Sequence, residues 1–226
     1  MKGHVVDRVA EPVRALRGRR MKRAADVAGA LGMLVMTAPV MLAAAAAIRL
    51  TSAGAALYKQ TRVGAGGREF CLLKLRTMVL DAERETGPVM AAPDDTRITA
   101  VGRVLRAMRI DELPQLVNVL RGEMSLVGPR PERPHFVRMF MRRVPGYGMR
   151  HAVRPGMTGM AQVCGDYATA PERKLEYDLM YIRTGSMALD AEIFLRTIRI
   201  VLRVGRDAAG ACVRSALMEA SSISGK

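Results

Sequence analysis

Two adjacent carboxylates, Asp111 and Glu112, stand inside the stretch RAMRIDELPQLVNVLRGEMSLVGPRP, among Arg106, Arg109, Arg121 and Arg130. The chain has 36 Lys and Arg against 21 Asp and Glu, a net charge of +15. An acidic pair among arginines in such a chain points to chemistry on a phosphate. The cations hold the anion, and a carboxylate attacks it or holds a metal on it. The plain alternative is an acidic helix cap, worth about 1 kcal/mol.

Some element must position the pair. Leu113, Leu116, Val117 and Leu120 recur at helical spacing, and Pro114 fits a first helical turn. Asp111 and Glu112 therefore fall at or just before a helix N-terminus, where the dipole favours ionised carboxylates suited to a nucleophile or a magnesium ligand. After the helix, SLVGPRP (Ser125 to Pro131) reads as a rigid turn in which Pro129 and Pro131 restrict Arg130 and aim its guanidinium. Before it, Tyr58 to Met78 reads as a β-hairpin around Gly64-Ala65-Gly66-Gly67. Those glycines make a turn rather than a phosphate cradle, since no G-x-G-x-x-G or Walker pattern is present. Lys74 and Arg76 alternate with Leu73 and Leu75, so they share a face that could meet a phosphate or water.

The remaining elements are simpler. Asp81 to Asp95 is a polar loop, and Arg97 to Met108 is a basic helix with Ile98, Val101, Val104 and Leu105 on one face. His151 to Gln162 is an Arg-Pro-Gly loop, and Lys174 to Tyr181 is helical with Leu175, Leu179 and Ile182 as its apolar side. Leu189 to Arg206 is an amphipathic helix with Phe194, Ile198, Val201 and Leu202 on one face and Arg196, Arg199, Arg203 and Arg206 on another. Such a helix can lie in a membrane interface or pack on a core.

The N-terminal part sets the compartment. A basic lead, with Arg14, Arg17, Arg19, Arg20, Lys22 and Arg23, precedes an uncharged run of 22 residues from Val27 to Ile48. Basic clusters of this kind meet anionic headgroups, and the run is long enough to span a bilayer. A cleaved signal peptide, a single transmembrane helix and a re-entrant helix are all compatible with it, although the run exceeds a usual signal h-region. Pro39 near its middle predicts a kink. Basic flanks on both sides favour keeping both on the cytoplasmic face.

Composition narrows the partners. The chain's 226 residues allow one domain, or one domain with a membrane segment. The basic excess predicts an anionic partner. Aromatics at 4% and the absence of Trp argue against a stacking platform for single strands, and no zinc finger or RNP-like motif appears, so nucleic acid is not expected. Cys71, Cys164 and Cys212 show neither metal spacing nor a disulfide framework, and His4, His135 and His151 form no zinc-type cluster.

The order of motifs resembles a known family. Lys22-Arg23-x-x-Asp26 leads into the proline-interrupted run. Then come Lys74-Leu75-Arg76-Thr77-Met78, Asp95-x-Arg97-Ile98-Thr99-x-x-Gly102 and Asp111-Glu112-Leu113-Pro114-Gln115. Ser125 to Pro131 and Arg154-Pro155-Gly156-x-Thr158-Gly159 complete the set. Together they are similar to the bacterial sugar transferases, the monotopic polyprenyl-phosphate phosphoglycosyl transferases, in their minimal form, from about Lys22 to about Arg203.

The resemblance implies an α/β, mainly helical fold: a compact cytoplasmic domain with a short β-hairpin, amphipathic interfacial helices and a proline-broken re-entrant membrane helix. The divisions would be a basic, mobile lead (1–21), the re-entrant helix (22–50), a catalytic domain (51–205) and a tail (206–226). It implies transfer of sugar-1-phosphate from a nucleoside diphosphate sugar, usually a UDP-sugar, to polyprenyl phosphate, initiating surface glycan synthesis at the cytoplasmic face of the inner membrane. Asp111 would be the nucleophile and Glu112 the magnesium-linked carboxylate. Arg106 would lie near the phosphates, with Lys74 and Arg76 as further phosphate contacts. Pro129, Arg130 and Pro131 would bind the nucleotide, and Pro39 would break the membrane helix. Membrane lipids would be partners, and a homo-oligomer is an open option for which no residue argues.

There are departures from the family pattern. Ala38 stands before Pro39 where many relatives carry Ser or Thr, and Arg109-Ile110 replaces a common Ser-Leu. Cys164-Gly165-Asp166-Tyr167 replaces an Asn-Gly-Arg-like segment, and tryptophans are missing near Ser186 to Asp190. These last two bear on sugar preference and membrane depth. A non-enzymatic adaptor that binds anionic lipid or nucleotide and regulates polysaccharide export would explain the charge and the apolar run. It gives no reason for the acidic pair beside Pro-Arg-Pro.

Overall fold

The computed structural model describes residues 19–84, 87, 89, 95–165 and 169–201. The lead before residue 19 and the tail expected at 206–226 lie outside them, as do Leu202, Arg203, Arg206, Asp166 and Tyr167.

The described part is mostly helical. Helix α1 (Arg19–Thr51) is followed by a hairpin of β1 (Leu57–Val63) and β2 (Glu69–Leu75), joined through a 3-10 turn at Ala65–Gly67. Then come α2 (Ala100–Ala107), a 3-10 turn at Ile110–Glu112, α3 (Gln115–Arg121) and β3 (Ser125–Val127). The chain continues with α4 (Pro134–Arg143), a 3-10 turn at Tyr147–Ala152, β4 (Gly156–Thr158), α5 (Met160–Cys164), α6 (Pro171–Thr184) and α7 (Met187–Val201).

The hairpin expectation holds, with Tyr58 opposite Lys74 and Arg62 opposite Phe70. The expected rigid turn and Arg-Pro-Gly loop are corrected. Both contain short strands, and β3 pairs with β4 in parallel, Ser125 to Gly156 and Val127 to Thr158. Three-residue strands are too short for side-chain alternation to reveal them. The glycines mark them instead. A Cβ at Gly128 would stand 2.5 Å from the Arg154 carbonyl oxygen, and one at Gly159 2.1 Å from that of Gly128. The two backbones approach more closely than any side chain allows.

Helix α1 runs unbroken through Pro39, so the expected break is not an interruption of the helix. Thr37 donates its hydroxyl to the Met33 carbonyl in the turn before the proline. On the N-terminal side of Pro39, Ala30 is buried with Leu72, Leu116, Val119 and Met124, and Met33 and Leu34 pack on that cluster. On the C-terminal side, Ala44 and Ile48 are buried with Leu75 and Leu105. Between them Val35, Met36, Val40 and Leu42 are exposed. The helix is long and apolar enough to cross a membrane.

Charged groups lock α1 to the domain. Arg23 donates to the Val119 and Leu120 carbonyls at the C-terminal end of α3, at 2.6 and 2.8 Å. Asp26 accepts from the Ser125 hydroxyl and the Leu126 amide, both at 3.0 Å. Lys22 bridges Asp190 of α7 at 2.6 Å.

Helix α7 divides its apolar residues between the core and the surface. Ile193 is the residue that is fully buried, and Leu189 and Phe194 pack beside it, whereas Leu195, Ile198 and Ile200 are exposed. The helix is apolar on two sides, and periodicity alone does not say which one meets the core.

Candidate active site

The acidic pair sits where three elements converge. Thr99 caps α2 by accepting from the Gly102 amide at 2.9 Å, and α2 ends at Met108. Arg109 then adopts a left-handed backbone, φ 58° and ψ 17°, which turns the chain sharply into the 3-10 turn carrying Asp111 and Glu112. For a residue with a Cβ that conformation costs roughly 1 kcal/mol or more. Helix α3 starts after Pro114, as expected.

The two carboxylates have opposite environments. Three cations reach Glu112 Oε1: Arg130 at 2.6 Å, Lys74 at 3.4 Å and Arg109 at 3.6 Å. Burial alone would raise its pKa, but Arg130, Lys74 and Arg109 hold it well below the usual carboxylate range. Arg130 is correspondingly held protonated by Glu112, against its own burial. Burial draws Lys74 downward, with Glu112 opposing.

Asp111, 5% exposed, accepts no hydrogen bond among the described residues. Burial and then the neighbouring Glu112 charge push its pKa up, against Lys74, Arg106 and Arg109. Beside it, Nη1 of Arg106 is buried without a hydrogen-bond partner. A buried carboxylate and a buried guanidinium nitrogen are thus both left with bonding capacity to spare. Such a site can receive an anion and present an oxygen to it.

The expected site residues separate into two groups. Asp111, Glu112, Arg106, Lys74 and Arg130 come together. Pro129 and Pro131 are buried and flank Arg130. Arg76 does not join them. Its two Nη atoms donate to the Ala53, Ser52 and Gly54 carbonyls and to the Ser52 hydroxyl, just beyond the C-terminus of α1. The physical reason is the line of free carbonyls at a helix end, which attracts a cation. Pro39 lies inside α1.

Magnesium is the ion the resemblance implies. Among the described residues no three His, Cys, Asp or Glu side chains gather into a protein cage. Magnesium commonly takes one or two carboxylates, and substrate phosphates complete its shell. Glu112 Oε2 accepts no hydrogen bond from the described residues, and Asp111 adjoins Glu112 in the chain. This donor set fits an ion that arrives with a diphosphate.

Comparison with known proteins identifies the family. The family described as bacterial sugar transferase matches residues 17–204, the greater part of the chain. The chain belongs to the bacterial sugar transferase family. It is 45% identical over 185 residues to UDP-N-acetylgalactosamine-undecaprenyl-phosphate N-acetylgalactosaminephosphotransferase of Aeromonas hydrophila, covering 80% of this chain and 44% of that protein. It is 47% identical over 188 residues to UDP-glucose:undecaprenyl-phosphate glucose-1-phosphate transferase of Caulobacter vibrioides, covering 80% and 69%. The exopolysaccharide production protein PSS of Rhizobium leguminosarum bv. phaseoli is 38% identical over 197 residues, covering 82% and 97%. The chain thus spans under half of the first relative and about two thirds of the second.

Sequence reasoning missed several residues that hold this sugar transferase site together. Asn118, fully buried in α3, accepts from the Leu73 amide at 3.0 Å and donates to the Cys71 carbonyl at 2.7 Å. It fixes β2, and so Lys74, against the helix that follows the acidic pair. Its signal was present: an Asn inside a helix whose other buried residues are mostly apolar. Arg62, Arg150 and Asp178 were also missed, and no spacing marks them.

Proposed function

We propose that this chain transfers sugar-1-phosphate from a UDP-sugar to polyprenyl (undecaprenyl) phosphate through a covalent phosphosugar on Asp111. The observation that carries the reading is the contrast within the pair: Asp111 is buried and unbonded while three cations hold Glu112. The names of the relatives supply the substrate class.

In the first step an Asp111 carboxylate oxygen bonds to the β-phosphorus. The bond from that phosphorus to the bridging oxygen breaks, and UMP leaves with the electron pair. In the second step an oxygen of the lipid phosphate bonds to the same phosphorus. The acyl-phosphate bond breaks, and Asp111 returns as a carboxylate. Neither step needs a proton. Arg106 and Lys74 offset the charge of the phosphoryl oxygens, and Arg130 orients the nucleotide's phosphates. Glu112 would hold magnesium, which would supply Lewis-acid charge neutralisation.

A lipid acceptor requires a site at headgroup level. Both arms of α1 pack on the same domain. Residues 35–43 lie between those contacts, and at 1.5 Å per residue they amount to roughly 14 Å of helix. The hydrocarbon core is about 30 Å thick. This supports a re-entrant α1 with both flanks on the cytoplasmic face of the inner membrane.

The test is UMP release from a panel of UDP-sugars, with undecaprenyl phosphate and magnesium, by the wild type and by Asp111→Asn. Release with one donor, lost in the variant, is the expected result. Release that survives in Asp111→Asn would overturn the covalent step. No release with any donor would point to a non-UDP donor or to a chain that kept the fold and lost the chemistry.

A further inference from the structure

We propose that Arg62 and Arg150 are positioning residues for Arg130, a partly buried and a buried guanidinium that grip consecutive backbone carbonyls of the Pro129–Pro131 loop and fix the direction of the arginine between the prolines. The proposal rests on the reading of Arg130 as a ligand of the nucleotide's phosphates.

The loop has no regular secondary structure, and its two prolines have no N–H to donate. Its carbonyls are the handles that remain, and four in a row are taken by three other elements. Pro129 O accepts from the Gly156 amide at 2.9 Å. Arg130 O accepts from Arg150 Nη2 at 2.9 Å, and Pro131 O from Arg62 Nη1 at 3.0 Å. Glu132 O accepts from the Val63 amide at 2.9 Å.

Both guanidiniums are themselves fixed. Arg150 in the 3-10 turn pairs with Asp178 of α6 and donates to the Tyr147 hydroxyl at 2.6 Å. Side chains of Arg150 and Asp178 are 5% and 1% exposed. Arg62 in β1 donates to Gln60 Oε1 at 2.6 Å and faces Glu132 at 3.6 Å. Burial lowers Arg62 to about 10, with Glu132 opposing and the Arg130 and Arg133 charges adding to the fall. A cation crowded by other cations in a buried place is expensive as mere packing. Its contact with the Pro131 carbonyl gives that expense a purpose, because an arginine on an unsupported loop would not hold 2.6 Å to Glu112.

A double-mutant cycle separates positioning from general support. The detergent-solubilised full chain is titrated with UMP in magnesium buffer, using wild type, Arg62→Gln, Arg130→Gln and the double variant. Arg62→Gln is expected to weaken UMP binding about tenfold or more, the effect of a misplaced ligand, but less than about twofold when Arg130 is already Gln. Arg62→Lys, which keeps one donor, is expected to recover part of the loss. If Arg62→Gln does not fold, Arg62→Lys and Arg150→Lys carry the same cycle. An equal loss in both backgrounds, or no loss from changing Arg62, overturns the proposal. UMP affinity unchanged by Arg130→Gln alone overturns the underlying phosphate role of Arg130, and is seen before any Arg62 variant is compared.

Discussion

Two regions of this molecule gather cations around backbone and carboxylates, and they use them differently. Where α1 joins the domain, the charges are spent on the protein. Both Nη atoms of Arg23 cap the end of α3, Lys22 pairs with Asp190, Asp26 bonds through Oδ1, and Arg76 turns both Nη atoms onto the end of α1, leaving only Asp26 Oδ2 and Arg76 Nε without a partner there. Around the acidic pair, charge is left over. Asp111 is unbonded, and Arg106 keeps a buried Nη1 with no acceptor. Satisfied charge builds the frame, and unsatisfied charge is what a substrate can use.

Substitutions in the two regions should therefore separate activity from stability. Asp111→Asn is expected to reduce UMP release on the order of a thousandfold or more, with the melting temperature unchanged. A fall in melting temperature would place Asp111 with the frame. Arg106→Gln should lower kcat/KM for the nucleotide sugar by about a hundredfold, as losing one donor to a developing charge does. Circular dichroism should report an unaltered fold.

Arg76→Gln should show the reverse pattern. Losing its charged hydrogen bonds at the end of α1 is expected to destabilise the chain by about 1.5–3 kcal/mol in denaturant titration, while KM for the sugar nucleotide stays near wild type. A large KM change with normal stability would return Arg76 to the phosphate site.

Two pH effects are smaller and sharpen the same contrast. Asp111 reacts as the ionised form, which exists above its raised pKa and is lost as pH falls through it. The acidic limb of kcat/KM should therefore lie above the value of about 4 typical of a free aspartate. In the frame, burial and then Arg150 lower His151 from 6.5 to about 4. The unfolded chain takes up that proton first, so this contribution to stability is present above pH 6.5 and is lost as pH falls towards 4. Melting curves of His151→Gln should lose less stability than wild type over that window.

The acidic pair, the helix behind it, the hairpin and the long apolar helix were all legible in the residues, because each is a local matter of period, turn chemistry or charge. So was the convergence of arginines, at the level of composition and motif. Other features were not legible. Lys74 and Arg76 are two residues apart and looked equivalent, yet one meets Glu112 and the other caps α1. The parallel pairing of β3 with β4, the role of Asn118 and the grip of Arg62 and Arg150 on the Pro-Arg-Pro carbonyls likewise join segments tens of residues apart. By itself the sequence determined which groups carry charge and which segments form helices, since those depend on neighbours along the chain. Tertiary structure alone decided which charges are spent and which remain free, because that depends on the carbonyls and carboxylates that folding brings within 3 to 4 Å of each.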